Sequence, residues 1–304
     1  MKQARFRELD LKALAAWPLP GIDESADKEA RGSVLVIAGS REIPGAALLS
    51  ATAAARAGAG KLLVAAPASV APGIALAMPE ARVIALKEDA RGRLLPAAVA
   101  QLAPFSGAVD AVLAGPGLPS NPETAAFVAG LLRHFQQVPV ILDAAAMDVV
   151  LHHRPFSQPV LLTPHCGEMA HLTGHTKEAL SCTAGDAALH YASEWQATVA
   201  LKGSTSWIAA PDDCLWRHDG GHVGLAMSGS GDVLAGLIAG LAARGVPLAQ
   251  ACAWGMVVHG QTGCRLAKRI GPVGFLAREL LPEIPAVLAT LQPAVHKRKR
   301  AGAA

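Results

Sequence analysis

The run MSGSGDVLAGLIAGLAARG, Met227 to Gly245, places a single carboxylate, Asp232, where small residues give way to an apolar helical pattern. The first turn of a helix carries unpaired backbone N–H groups and the positive end of the helix dipole. The preceding Ser228-Gly229-Ser230-Gly231 can wrap further N–H donors around an anion, because glycines permit close approach and positive φ. A phosphate fits such a loop. Asp232 then has two readings. As a helix cap it is a common structural residue. Beside a bound phosphate it would be repelled, which is hard to justify for stability. An acid there has a chemical use: it can take a proton from a hydroxyl as that oxygen attacks phosphorus.

Five turns of similar character recur along the chain: AGSREIPGA, AGPGLPS, LDAAAMD, LTPHCGE and LKGSTS. Each follows a short apolar run and is rich in glycine, small hydroxyl residues or one polar side chain. SVLVIAGS (Ser33 to Ser40) reads as a buried parallel strand, GAALLSATAAARAGAG as a helix closed by glycines, and KLLVAAP as the next strand, which makes a βαβ unit. ARVIAL, DAVLAGPG, PVILDAAAM and PVLLTPHCGE continue the strands, with ETAAFVAGLLRHF as a helix between two of them. TVALKGSTSWIAA (Thr198 to Ala210) reads as two strands around a polar turn. From Asp232 onward the pattern is mostly helical. Strands alternating with helices predict an α/β fold: a doubly wound, mostly parallel sheet flanked by helices. In such sheets ligands bind outside the carboxyl ends of the strands, so five polar turns predict one site along one edge.

Composition narrows the classes. The chain has 304 residues, 52% of them hydrophobic and 17% charged, which is enough apolar content for a large core. Aromatic residues are only 4%, so small side chains must do much of the packing. The formal net charge is +3, but Lys297, Arg298, Lys299 and Arg300 alone exceed it, so the remainder is slightly acidic. The basic end reads as a solvated tail rather than a nucleic-acid surface. Five widely spaced cysteines without a C-x-x-C pair indicate neither a disulfide framework nor a zinc site, and fit a reducing cytoplasm. No secretory signal and no membrane span is expected. ARAGAGK is followed by Leu62 where a P-loop needs Ser or Thr, and AGSREIPG lacks the spacing of a dinucleotide fingerprint. No H-E-x-x-H or G-x-S-x-G occurs.

SGSGDVLAGLIAGL resembles the G-T-G-D-V-L-A-G segment of the NAD(P)H-hydrate dehydratases, within the ribokinase-like superfamily. GSVLVIAGSREIPGAALLSATAAARAGAG, AGPGLP, LLTPHCGE and VALKGSTSWIA are similar to further family segments in the same order. The resemblance covers roughly Arg31 to Arg244 and continues more weakly beyond. It implies a ribokinase-like domain over 31–292, an N-terminal extension over 1–30 that packs on or leads into it, and a basic tail over 293–304.

It also implies a repair reaction, in which ADP or ATP phosphorylates the hydroxyl of hydrated NADH or NADPH and loss of phosphate restores the dihydropyridine. Phosphate leaves far more readily than hydroxide, so the elimination is divided into two easier steps. Carried over by residue, Asp232 is the base. Ala46, Gly117, His165 and Asp232 line the hydrated cofactor's pocket. Lys202, Gly203, Ser204, Thr205, Ser206 and Gly231 hold the nucleotide. Mg²⁺ travels with the nucleotide, and no protein metal cage is expected. The implied partners are the hydrate itself, an adenine nucleotide and an NAD(P)H-hydrate epimerase on a separate chain. A homo-oligomer, a tetramer, is the expected assembly.

Departures from the family pattern are local. DAAAM stands for D-A-D-A-L, so Asp143 remains and Ala145 replaces the second acid. His222, Met227 and Ile43 replace Asn, Thr and an aromatic residue. Each carried-over residue also has a plainer reading. Lys202 can be an ordinary strand-end lysine, His165 a turn residue bonding the backbone, and Ala46 and Gly117 small residues at close approaches. Asp143 either caps the turn that follows it or meets the water shell of a metal ion. Two other functions stay open. One is a ribokinase-like kinase of the hydroxyethylthiazole or hydroxymethylpyrimidine type, ending in a stable phosphate ester. The other is a non-catalytic nucleotide-binding relative.

Overall fold

The computed structural model describes residues 5–21 and 27–292; the basic tail and part of the N-terminal extension lie outside the described residues. Ten strands form one sheet: β1 Arg7–Glu8, β2 Ser33–Ile37, β3 Lys61–Pro67, β4 Arg82–Leu86, β5 Ala111–Ala114, β6 Val140–Leu142, β7 Val160–Leu162, β8 Thr198–Leu201, β9 Ser206–Ala209 and β10 Leu215–His218. Their order is β1-β10-β9-β8-β7-β6-β5-β2-β3-β4. From β4 across to β8 all neighbours are parallel, whereas β9 runs antiparallel to both β8 and β10. The doubly wound, mostly parallel sheet expected from the sequence is therefore present. The neighbouring strands β5, β6, β7 and β8 all deliver their carboxyl ends to one edge, as parallel pairing requires.

Eleven α-helices lie among the described residues: α1 Leu11–Ala16, α2 Gly45–Arg56, α3 Ala71–Ala77, α4 Pro122–His134, α5 Cys166–Thr173, α6 Lys177–Cys182, α7 Ala184–Trp195, α8 Ser230–Ala243, α9 Leu248–Arg269, α10 Ala277–Leu280 and α11 Glu283–Leu291. The pleat of the strands sorts the core into two layers. Val34 and Val36 of β2 and Leu113 of β5 join a cluster with α2, α8 and α9 on one face. Leu35, Ile37 and Val112 join another with α4 and α7 on the opposite face. Both faces are buried, so the strands read as continuous apolar runs rather than alternating ones.

Helix α8 is apolar nearly all round and is buried from Val233 to Ala243. It lies against α2 closely enough that a Cβ on Gly236 would overlap the carbonyl of Ser50, and one on Gly240 the carbonyl of Ala54. Glycine on one helix against alanine and serine on the other lets the two backbones meet. The scarcity of aromatic residues has its structural use in this seam.

Two strands were not legible in the sequence. β10 is a four-residue segment, LWRH, inside a polar stretch. β1 is two residues long and pairs parallel to β10, with Leu9 N–H donating to the Arg217 carbonyl at 2.7 Å. Trp17 stacks on Trp216 at 5.4 Å between ring centroids, and Trp254 Nε1 donates to the Trp17 carbonyl at 2.8 Å. These contacts fasten residues 6–17 along the β10 edge of the sheet.

Candidate active site

The site is assembled at the carboxyl ends of β5, β6, β7 and β8 and at the first turn of α8. Gly229 begins that turn with φ +87°, a left-handed conformation that glycine adopts without strain. No side chain caps the helix. Asp232 stands in its first turn, half-buried, so the capping role that its type allows is not the one it plays. Ser230 N–H turns back onto the Met227 carbonyl at 3.3 Å, and the next N–H groups of this uncapped helix start can face an anion.

Beside Gly231 lies Lys202, from the end of β8. Its Nζ is 3.7 Å from where a Gly231 Cβ would stand. It also donates to Asp143 Oδ1 at 3.2 Å. Asp143 is 4% exposed and takes a second hydrogen bond, from Thr163 Oγ1 at 2.6 Å. It makes no side-chain cap to the helical turn of residues 144–151 that follows it. That reading of Asp143 is replaced by a buried ion pair.

The electrostatics follow from this packing. Burial raises the Asp232 carboxyl to about 6; the nearby Asp143 charge pushes the same way and Lys202 opposes it. Burial also works against the Lys202 ammonium, but the carboxylates of Asp143, Glu168 and Asp232 outweigh it and leave the lysine above its ordinary value. The result is a firmly charged cation next to a carboxylate that is ionised above pH 6 yet still basic. A general base near the working pH has that character.

The remaining residues of the turn after Lys202 form a compact loop. Ser206 Oγ lies 3.3 Å from both the N–H and the carbonyl of Gly203, closing the turn, while Gly203 and Ser204 are exposed. Thr205 Oγ1 donates to Asp219 Oδ1 at 2.6 Å, and Asp219 pairs with Arg217 at 2.7 Å. The turn at the end of β7 is tied to the same place, because Lys202 N–H donates to the Pro164 carbonyl at 2.8 Å. His165 next to it is exposed. Its Nδ1 accepts from the N–H groups of Gly167 and Glu168, and with Glu168 it completes a capping box on α5. The plainer reading of His165 thus accounts for one ring nitrogen; Nε2 is engaged only by a 3.7 Å approach to Glu168.

Ala46 and Gly117 also meet. Gly117 has φ +69°, and a Cβ there would come within 2.7 Å of the Ala46 Cβ and 2.8 Å of the Ile43 carbonyl. Ala46 is buried at the start of α2, and Leu49 one turn on reaches Gly229. The α2–α8 seam therefore connects this pair to the Gly229 turn. Ile43 is 54% exposed on the rim. His222 folds back on its own turn, where its Nδ1 accepts from Gly224 N–H at 3.1 Å.

Three polar residues of this edge were not singled out in the sequence: Thr163, Asp219 and His259. His259 lies on α9, and its Nε2 is 3.0 Å from Ser230 Oγ. Burial lowers it to about 4, against the opposing contact from Ser230, so the ring is neutral near pH 7. A lone histidine in the apolar run AWGMVVHG was the available signal. Thr163 stood within the LTPHCGE turn but was not marked out there, and Asp219 had no signal. Among the described residues no group of three or more His, Cys, Asp or Glu side chains is placed to hold a metal ion, and no helix is long and apolar enough to cross a membrane.

Comparison with known proteins converges on one family. The family model described as NAD(P)H-hydrate dehydratase matches residues 34–286. An ADP-dependent (S)-NAD(P)H-hydrate dehydratase of Xanthomonas campestris is 49% identical over 290 residues, covering 95% of this chain and 98% of that protein. A bifunctional NAD(P)H-hydrate repair enzyme of Moorella thermoacetica is 38% identical over 95% of this chain, which spans only 56% of that longer protein. The crystal structure of the ADP/ATP-dependent NAD(P)H-hydrate dehydratase of Bacillus subtilis, obtained with ATP and Mg²⁺, superposes with a TM-score of 0.81. It covers 96% of this chain and 100% of that one at 30% identity.

Proposed function

The chain belongs to the NAD(P)H-hydrate dehydratase family, and from that premise we propose that it restores NADH and NADPH from their (S)-hydrates with ADP as phosphoryl donor. The observation that carries the reading is the convergence at the start of α8. An uncapped glycine turn, a charged Lys202 and a half-buried Asp232 occupy one place.

The hydrate's hydroxyl oxygen attacks the terminal phosphorus of the nucleotide, and the bond from that phosphorus to AMP breaks. Asp232 accepts the hydroxyl proton. The loop amides of Gly231 and the Lys202 ammonium hold the phosphoryl charge in place, where a water-poor site strengthens each contact. Phosphate then leaves from the ring carbon, the neighbouring ring carbon gives up a proton to solvent, and the electron pair of that C–H bond restores the double bond of the dihydropyridine. Lys202 to Ser206 form the nucleotide turn, with Ser206 closing it and Thr205 fixed by Asp219. Ala46 and Gly117 give the small-residue wall that a nicotinamide ring can approach, and His165 offers its Nε2 at the rim.

Mg²⁺ would arrive with the nucleotide, the combination with which the Bacillus subtilis structure was obtained, while Asp143 meets Lys202 and Thr163 through Oδ1. When bound with the phosphates, the ion supplies charge neutralisation. The bifunctional relatives are named as repair enzymes on one longer chain. Exposed Ile43, Val223, Val273 and Leu276 are apolar positions suited to contact between subunits of a cytoplasmic homo-oligomer.

The test is direct. Purified protein is incubated with hydrated NADH and either ADP or ATP, following NADH absorbance, free phosphate and the spent nucleotide. The expected outcome is equal amounts of NADH, phosphate and AMP with ADP as donor. A stable phosphorylated product without NADH would instead make the chain a small-alcohol kinase.

A further inference from the structure

We infer that Asp143 is a positioning residue for phosphoryl transfer: its buried carboxylate holds the Lys202 ammonium under the phosphate loop and away from Asp232. The inference rests on the nucleotide site described above. It assigns a task to a residue that acts through Lys202.

Three observations carry it. First, Asp143 is almost fully buried, and both hydrogen bonds to its carboxylate reach Oδ1 from side chains at the ends of β7 and β8, Thr163 at 2.6 Å and Lys202 at 3.2 Å. Taking an ion pair out of water is unfavourable, and an apolar pair of similar volume would pack at least as well between β6 and β8. Stability alone does not explain the pair. Second, the backbone at Asp143 is fixed from both sides. Ala144 is held at φ +48°, a left-handed value unusual for a residue with a Cβ, and Gly115 has no Cβ because one would overlap the Asp143 carbonyl. The carboxylate is thus presented from a rigid support. Third, Lys202 has a choice of partners. Asp232 and Glu168 both act on its charge. A lysine free to swing onto Asp232 would pair with the carboxylate that must accept the proton. Held by Asp143, the ammonium instead lies beside Gly231, where the phosphates of a nucleotide belong.

The sign of one measurement separates this role from simple electrostatics. Removing a negative charge near an anion site should tighten anion binding. Releasing Lys202 from its place should loosen it. Asp143→Asn keeps the side-chain shape and removes the charge, so calorimetric titration with ADP reads the difference. The expected result is a roughly fivefold or larger rise in the ADP dissociation constant, with kcat falling more steeply than KM for the hydrate changes. In a Lys202→Met background the same substitution should change ADP affinity less than twofold, since the residue through which Asp143 acts is gone. If Lys202→Met does not fold, Thr163→Val replaces it as the second arm. Removing the hydroxyl brace should then loosen ADP binding in the same direction by a smaller factor.

Unchanged or tighter ADP binding in Asp143→Asn overturns the inference. So does an equal penalty with and without Lys202, or unaltered binding in the Thr163 arm. If the wild-type chain binds ADP but makes no NADH from the hydrate, the proposed function fails while the affinity comparison still decides the role of Asp143. If the wild-type chain binds no ADP, both fall.

Discussion

Helix α8 uses glycine in two ways, and the contrast between its ends separates function from packing. At its start, Gly229 adopts a left-handed conformation, and Gly231 has nothing closer to its missing Cβ than the Lys202 ammonium at 3.7 Å. There is room for a side chain at Gly231, yet none is present. Seven residues after Gly229, Gly236 has no room at all, because the Ser50 carbonyl of α2 occupies the place. The first region is half-exposed, polar and carries a carboxylate raised to about 6 by its own burial. The second is dry and matched atom to atom. One end of the helix gives up stability to hold an unpaired carboxylate, and the other recovers it through close backbone contact.

The largest effect that should sharpen this contrast is loss of the base. Asp232→Asn is expected to lower kcat by roughly 10³-fold while ADP still binds, because the loop amides remain. Steady-state rates with a parallel ADP titration check it. A variant within tenfold of wild type would remove Asp232 from the chemistry. The same assignment fixes the pH profile. The carboxyl must be ionised to accept a proton, so kcat is expected to fall about tenfold per pH unit as the pH drops below 6.

Next in size is the packing end. Gly236→Ala forces a methyl group against a backbone carbonyl that cannot rotate away, and is expected to destabilise the fold by about 3 kcal/mol. Denaturant unfolding gives the value. A change near zero would mean that the α2–α8 seam is looser than the geometry describes.

The third effect concerns stability at the functional end, and its sign follows from the raised carboxyl of Asp232. Below its ordinary value of 3.8 both folded and unfolded states are protonated, and folding is unaffected. Between 3.8 and about 6 the unfolded chain ionises while the folded one resists, so stability is lost as pH rises and stays lost above 6. Asp232→Asn should therefore be more stable than wild type at pH 8, on the order of 2 kcal/mol, with the gain vanishing near pH 3.5. Unfolding curves at the two pH values test this. Equal stability at pH 8 would show the carboxylate to be better solvated than its burial implies.

The smallest effect compares glycine with glycine. Gly231→Ala should leave stability within about 0.5 kcal/mol, since the new methyl group meets only the end of a flexible lysine. The KM for ADP should rise roughly tenfold, because that methyl group stands where phosphate oxygens approach. If both Gly231→Ala and Gly236→Ala mainly lower stability, the division of labour along α8 is wrong.

Much of the fold was legible because buried parallel strands leave a coarse signature. SVLVIAGS, KLLVAAP and DAVLAGPG are runs that only a doubly covered sheet can hide, and each ends in a turn residue. Strands β1 and β10 escaped because neither is an apolar run; β10 is held by its antiparallel pairing with β9, and β1 by finding β10 across more than 200 residues. The candidate site divides the same way. Gly231 and Asp232 were visible, being neighbours in sequence at a recognisable helix start. His165 was visible as a polar residue in a strand-end turn, but its capping of α5 through Nδ1 was one of two open readings until the turn was seen folded.

The order of apolar runs and turns, with the glycine-acid junction before α8, was written in the sequence, because local periodicity and backbone permissiveness are properties of contiguous residues. The setting of Asp143 was not. Its partners Thr163 and Lys202 lie 20 and 59 residues further along the chain, and only parallel pairing of β6, β7 and β8 brings the three together. An isolated aspartate in LDAAAM carries no mark of burial or charge. The dry space between strand ends decides both, since a buried carboxylate needs a partner there and the fold delivers Lys202 from a distant part of the chain.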